Sequence, residues 1–306
     1  MRRALPLPLL VLALAPLAVG GCGGLGDGSD GRQIVATTTV LGNLARQVAG
    51  RRADVRQLLQ PNSDPHDYEP RPRDVVAIAG ASVVLASGLG LDDWVDGVVE
   101  QSGGDPRVVD VGARVPIRRA GDPHWWHDPR DAAAALATIR DALARADPTG
   151  RAVYARNAAR AIRAVRALDA GIRRCFADIP RAQRKLVTDH DALGYLADRY
   201  GLRVVGAVIP SLTTQAQPSA GDLAELADAI RREHVATVFS EQSVNPKLAQ
   251  AIARETGARV DDSLYGDALG PAGSAGATYV GMMRHDASAI VGGLTGGRGC
   301  AFRAGR

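Results

Sequence analysis

The chain is predicted to be an α/β protein of two lobes. Each is a four-stranded, mainly parallel sheet with flanking helices, and one long rigid α-helix joins them. Three observations carry this prediction. Short β-branched runs alternate with helix-like segments in the first half of the chain and again after Pro180, a rhythm that lays strands in parallel with helices on both faces. Between the two, from Pro129 to about Asp178, the residues are nearly all helix formers with no strand-like run. The length of 306 residues suits one large domain or two of ordinary size.

The elements follow in order. MRRALPLPLLVLALAPLAVGGC starts with Arg2 and Arg3 and continues as an apolar run from Ala4 to Val19, interrupted by Pro6, Pro8 and Pro16. A membrane span needs roughly 20 apolar residues, so residues 1–21 read as a signal peptide. Val19-Gly20-Gly21-Cys22 resembles a bacterial lipobox, in which Cys22 becomes the lipidated first residue of the mature chain. An ordinary cleaved signal with a coincidental cysteine is the plainer alternative. Residues 22–32 are rich in Gly, Ser and Asp and read as a lipidated flexible tether. Gly21, Gly23 and Gly26 match GxGxxG, but no strand precedes them and no helix follows, so a dinucleotide site is rejected.

The first lobe is placed at 33–146. GRQIVATTTV, ADVRQLLQ, SVVLAS and PRVVDV are its strand candidates; LGNLARQVAG, PRDVVAIAGA and LDDWVDGVVEQSG are its helices. PRDAAAALATIRDALARADP adds one more helix, stopped by Asp147-Pro148. A long linker helix is placed at 149–178, about 45 Å at 1.5 Å per residue, more than a crossover needs. The second lobe, 184–306, carries strands at KLVTDH, LRVVGAVI, VATVFS and ARVDD. Its helices are DALGYLADRYG, SAGDLAELADAIRREH, PKLAQAIARETG and SAGATYVGMMRHDASAIVGGL. Two similar Rossmann-like lobes leave a cleft at the C-terminal ends of their strands, where a ligand would sit.

Composition removes several functions. Aromatic residues make up 4% of the chain, too few for the stacking platforms of single-stranded nucleic-acid binders. The formal charge of +4 is small, and its arginines sit in Ala-rich helical stretches that read as a solvated face. No GxxxxGK[ST], HExxH or GxSxG is present. With Cys22 assigned to lipid, Cys175 and Cys300 remain. An exported chain meets an oxidising space, where these two can form a disulfide or stand as two buried thiols. No CxxC is present, which argues against a cysteine zinc site.

Histidine is scarce, with six in the chain, so placement carries information. His66 lies in PNSDPHDYEP after the second strand. His124 and His127 lie in GDPHWWHDP after the fourth, and His190 ends the first strand of the second lobe. Asp267, in LYGDALG, follows the last strand. Three loops bearing His and one bearing a carboxylate face the same cleft. Three imidazoles and a carboxylate suit zinc, with manganese an alternative. Four protein ligands close a tetrahedral shell, whereas a catalytic zinc keeps a position open, so the donor set favours holding an ion over using it. His127 could share the face of His124 and is held in reserve, as is Glu241 in FSEQSVNPK. Asp64, Asp67, Glu69, Asp122 and Asp128 read as loop-shaping or ligand-supporting groups. His234 and His285 read as helix-surface residues.

The whole pattern resembles the metal-binding receptor subunits of bacterial zinc/manganese ABC importers, the TroA-like solute-binding proteins. IVATTTVLGNLARQVAG, PNSDPHDYEPRPRDV, ASVVLASGLGLDDWVD, DPHWWHDP, LVTDHDALGYLADRYGL, VFSEQSVNPKLAQAIARETGA and LYGDALGPAGSAGATYVGMM carry the resemblance, in order, over most of 33–295. It implies ligands at His66, His124, His190 and Asp267, choosing His124 over His127. Several manganese receptors have Glu where His190 stands, which leans toward zinc. Many zinc members carry a His-rich loop before the second DPH, and here only PIRRAG stands there. The resemblance implies a monomeric, non-enzymatic receptor, lipid-anchored on the outer face of the membrane, that passes bound Zn2+ or Mn2+ to a permease with a separate ATPase. A stiff helix between lobes implies small lobe shifts on loading. A metal-dependent hydrolase, a siderophore or metal-chelate receptor, and a surface adhesin are the rival readings.

Overall fold

In the computed structural model, which describes residues 33–116, 119, 121–300 and 302, two parallel four-stranded sheets stand on either side of one long helix. The predicted signal peptide, Cys22 and the tether lie outside the described residues. The first sheet contains β1 (Gln33–Ala36), β2 (Asp54–Gln57), β3 (Ala81–Ala86) and β4 (Arg107–Asp110), in the order β2-β1-β3-β4. Val35 pairs with Val84 and Leu85 with Val109. Helices α1 (Thr39–Ala49), α2 (Pro72–Ala79) and α3 (Trp94–Ser102) are its crossovers. Thr38 caps α1 by accepting from Leu41 N, and Gly50 ends it at a positive φ of 59°, where a side chain is disfavoured.

Helix α4 (Pro129–Ala146) starts with Pro129 at its first position and Asp128 as its cap, a standard N-terminal pairing. Helix α5 (Arg151–Ala177) has 27 residues, about 40 Å of rise. The start read at 149 is moved because 148–150 close their own 3-10 turn around Asp147. Tyr154, Ala158, Ala161, Val165, Leu168, Ile172 and Phe176 make its buried stripe, the three- and four-residue spacing of one helix face.

The second sheet contains β5 (Lys185–His190), β6 (Arg203–Ile209), β7 (Thr237–Glu241) and β8 (Arg259–Leu264), in the order β6-β5-β7-β8, again all parallel. Helices α6 (Gly194–Tyr200), α7 (Ala220–Glu233), α8 (Lys247–Thr256) and α9 (Tyr279–Thr295) flank it. Ser219 and Asp222 close a capping box at the start of α7. His234 ends that helix in the left-handed region, φ 54°. His285 departs from the surface reading: its ring packs 5.1 Å from that of Tyr265, and Nε2 lies 3.0 Å from Ser263 O.

The largest apolar core does not stop at the lobe boundary. It runs from Leu44 and Leu136 through Val165, Leu168 and Ile172 of α5 to Leu196, Met282 and Ile290. Each outer sheet face has its own smaller cluster, Val84 with Ile78 and Val95 on one side, Val187 with Leu226 and Ile252 on the other. A shared core resists wide hinge bending, because opening it would expose apolar surface at roughly 25 cal/mol per Å². Cys175 near the end of α5 is disulfide-bonded to Cys300 beyond α9, with Cα atoms 5.4 Å apart.

Candidate metal centre

Three loops and the last residue of β5, all at the C-terminal ends of the strands, bring His66, His124, His190 and Asp267 together. One donor atom from each lies within 4.8 Å of all the others. His66 Nε2 is 3.2 Å from His124 Nε2 and 3.1 Å from Asp267 Oδ2. Asp267 Oδ2 is also 3.2 Å from His190 Nε2, and Oδ1 is 3.4 Å from His124 Nε2. The first lobe supplies His66 and His124, and the second supplies His190 and Asp267. His124, His190 and Asp267 are buried. His66 keeps 7% of its side chain exposed.

Each histidine is held by a neighbouring aspartate, His66 through its backbone amide and His124 and His190 through both amide and ring. Asp64 and Asp122 stand two residues before His66 and His124, and each accepts the histidine's own backbone N–H, at 2.8 and 3.0 Å. Asp122 Oδ1 also lies 2.8 Å from His124 Nδ1. With the Nδ1 proton placed there, the Nε2 lone pair faces the centre. His190 is held by Asp189, whose Oδ1 accepts from His190 N at 2.7 Å and lies 3.0 Å from Nδ1. Glu241 Oε1 is 3.2 Å from the same Nδ1. Its other oxygen accepts from Asp267 N at 2.7 Å, so one carboxylate steadies both residues of the second lobe. A Cβ on Gly266 would lie 2.8 Å from that oxygen, so a larger residue there would displace the Glu241 carboxylate.

The electrostatics follow from burial and pairing. Burial pushes the Asp267 carboxyl upward, but His124, His190 and the contact from His66 outweigh it and hold the group well below the usual carboxylate range. Burial disfavours charge on His190, yet Asp267, Asp189 and Glu241 raise it well above an ordinary imidazole. Glu241 is pushed well up by burial, then by Asp267 and Asp189. Nitrogen lone pairs and a buried carboxylate crowded into a few ångströms repel one another unless protons or a cation sit among them. The donor set fits a borderline divalent ion.

The two reserve residues lie elsewhere. Glu241 stands on the outer nitrogen of His190, in a second acidic grouping with Asp189. His127 is fully buried, and neither of its ring nitrogens has a hydrogen-bond partner among the described residues. Burial first, then His124, lowers its pKa to about 3, so it is a neutral imidazole beside Trp126. Asp128 caps α4 and binds Arg130. Asp189 was not singled out from sequence. Its signal was there: all three converging histidines follow an aspartate by one or two residues.

Comparison with known proteins places this architecture. The family model described as "Zinc-uptake complex component A periplasmic" matches residues 34–293. The manganese-binding lipoprotein MntA of Halalkalibacterium halodurans is 30% identical over 294 residues, covering 93% of this chain and 97% of that protein. The iron-binding protein YfeA of Yersinia pestis is 32% identical over 269 residues, 86% of each. Among solved structures, the periplasmic zinc-binding protein TroA of Treponema pallidum superposes with a TM-score of 0.81 at 28% identity, covering 86% of this chain and 99% of that one.

Proposed function

The chain belongs to the zinc-uptake component A family of periplasmic metal-binding proteins, and on that premise we propose that it is an extracytoplasmic receptor that captures a bare divalent cation between its lobes and delivers it to an ABC importer. The family is one of transport-system binding components, not of enzymes. His66, His124, His190 and Asp267 are the proposed ligands. The observation that carries the reading is the convergence of three imidazoles and one carboxylate on a single point, with an aspartate on the rings of His124 and His190 and on the amide of His66.

Zinc is the favoured cargo and manganese the competitor. Three neutral imidazoles with one carboxylate match zinc's tetrahedral preference. Relatives are named for manganese, iron and zinc, so the identity of the ion rests on the donor set. A permease with a separate ATPase would receive the ion, and lipid on Cys22 would hold the monomeric receptor at the outer face of the membrane. The shared core through α5 supports small lobe movements during loading. A hydrolase would need an open coordination position and a chelate receptor a wide cleft, and nothing in the four-donor cluster favours either. Elemental analysis of protein purified without added metal, followed by zinc–manganese competition, tests the proposal. One equivalent of zinc, retained against manganese, is expected; a chain that holds neither ion rejects it.

A further inference from the structure

The lobes meet along two seams of different construction. One is sealed by buried groups: Trp126 Nε1 donates to Gly266 O at 2.9 Å, Leu269 N to Thr39 Oγ1 at 2.8 Å, and the Tyr279 and Tyr195 hydroxyls to Trp126 O and Asp122 O at 2.8 and 3.1 Å. The other is closed by side chains near solvent. The loop between β6 and α7 reaches across to the His66 turn, where Thr214 Oγ1 donates to Asp64 Oδ2 at 2.6 Å and Gln215 Nε2 to Asp67 Oδ1 at 2.8 Å. Two grooves of about 730 and 720 Å³ flank this clasp, and Asp64, Asp67 and Ser243 line both. His66 is also the most exposed of the four converging side chains, 7% against 1% or less for the others.

Asp64 joins the two facts. Its Oδ1 holds the backbone N–H of His66, and its Oδ2 holds the hydroxyl of Thr214 from the opposite lobe. The equivalent aspartate of the other DPH segment, Asp122, places its Oδ1 against both the amide and the ring of its own histidine. The near end of the His66 turn is tied to the second lobe by a backbone bond, Asn62 N to Leu269 O at 3.0 Å. The 64–67 end is therefore the part that can swing free.

We propose that Thr214, seconded by Gln215, is a positioning residue for His66, and that its bond to Asp64 is the latch that must break before the cation leaves. The proposal rests on the receptor reading above. With the latch closed, Asp64 is fixed from both sides and directs the His66 turn toward Asp267. With it open, the turn can carry its imidazole away while His124, His190 and Asp267 stay in place.

Zinc release into excess chelator, followed by stopped flow on the full mature chain, tests the latch. Thr214→Val keeps the shape and removes the hydroxyl; it should release zinc about tenfold faster, a change of ~1.4 kcal/mol, with the association rate within about twofold of wild type. Thr214→Ser retains the hydroxyl and should restore slow release, a rescue that a mere packing role would not produce. Release by Thr214→Val at the wild-type rate, or by Thr214→Ser as fast as by Thr214→Val, overturns the latch. If Thr214→Val lowers the melting point of the metal-free protein, exposed Gln215→Ala takes over the test, with release about threefold faster expected and an unchanged rate counting against the latch. Wild-type chain that takes up neither zinc nor manganese overturns the receptor reading and the latch together, whereas failure of the variants alone removes only the latch.

Discussion

The tripeptide Asp-Pro-His occurs at 64–66 and again at 122–124, and the two copies are put to different use. In both, the aspartate accepts the amide of the histidine two residues on, a local bond that the sequence itself encodes. At 122–124 the same oxygen reaches the imidazole, and the segment is sunk between Trp125, Trp126 and the second lobe. At 64–66 the spare oxygen is lent to Thr214, and the turn sits at the edge of solvent. Identical local chemistry thus gives one fixed imidazole and one whose placement depends on a partner 150 residues away.

The comparison can be broken in three ways, from the largest effect to the smallest. His124→Ala should weaken zinc binding more than about 100-fold, beyond the loss usual for supporting groups alone. It should also abolish the change in emission that zinc loading gives through the adjoining Trp125 and Trp126. An unchanged fluorescence titration would take His124 out of the site.

Next come the paired aspartates. Asp122→Asn should cost about 10- to 100-fold in affinity, because it disturbs the bond that sets the His124 ring. Asp64→Asn should cost less in competition titration, since it touches only the amide and the latch. Equal losses would show that the two turns are used alike.

The smallest effect concerns His127, at the end of the buried segment. In the unfolded chain it takes up a proton near about pH 6.5, but in the folded protein it stays neutral down to about pH 3. The unfolded state therefore binds more protons below pH 6.5, and stability falls as pH drops, by ~1.4 kcal/mol per unit at most. Urea unfolding at pH 7 and pH 5 should show a slope that His127→Leu reduces. A slope equal in wild type and variant would mean that this side chain is not sealed from water.

Much of this was legible in the sequence because it is local or periodic. Alternating runs announced eight strands, and the two sheets contain them in parallel order. Scarce histidines at strand ends pointed to one cleft, and His66, His124, His190 and Asp267 do meet there. What stayed hidden depends on distance along the chain. Whether Cys175 and Cys300 pair was open, since spacing carries no geometry. Glu241 looked like a ligand because it follows a strand, yet its carboxylate faces the outer nitrogen of His190. Thr214 and Gln215 have no motif at all; they are uncharged polar loop residues whose meaning comes only from what the opposite lobe places before them. His285 reads as a helix-surface residue because it lies in a helix, but its half-buried ring packs against Tyr265 just after β8.

The bond between Cys175 and Cys300 spans 125 residues, so the whole second lobe is a covalent ring fastened at the tail end of α5. Closing a loop of that size removes chain entropy from the unfolded state worth about 5 kcal/mol in the simplest treatment. The ring cannot fray from its last helix, and an exopeptidase trimming the carboxyl end would halt at a knot tied to the spine of the molecule. The lobe that carries His190 and Asp267 is thus hooped like a barrel, while the His66 turn opposite depends on a clasp of side chains.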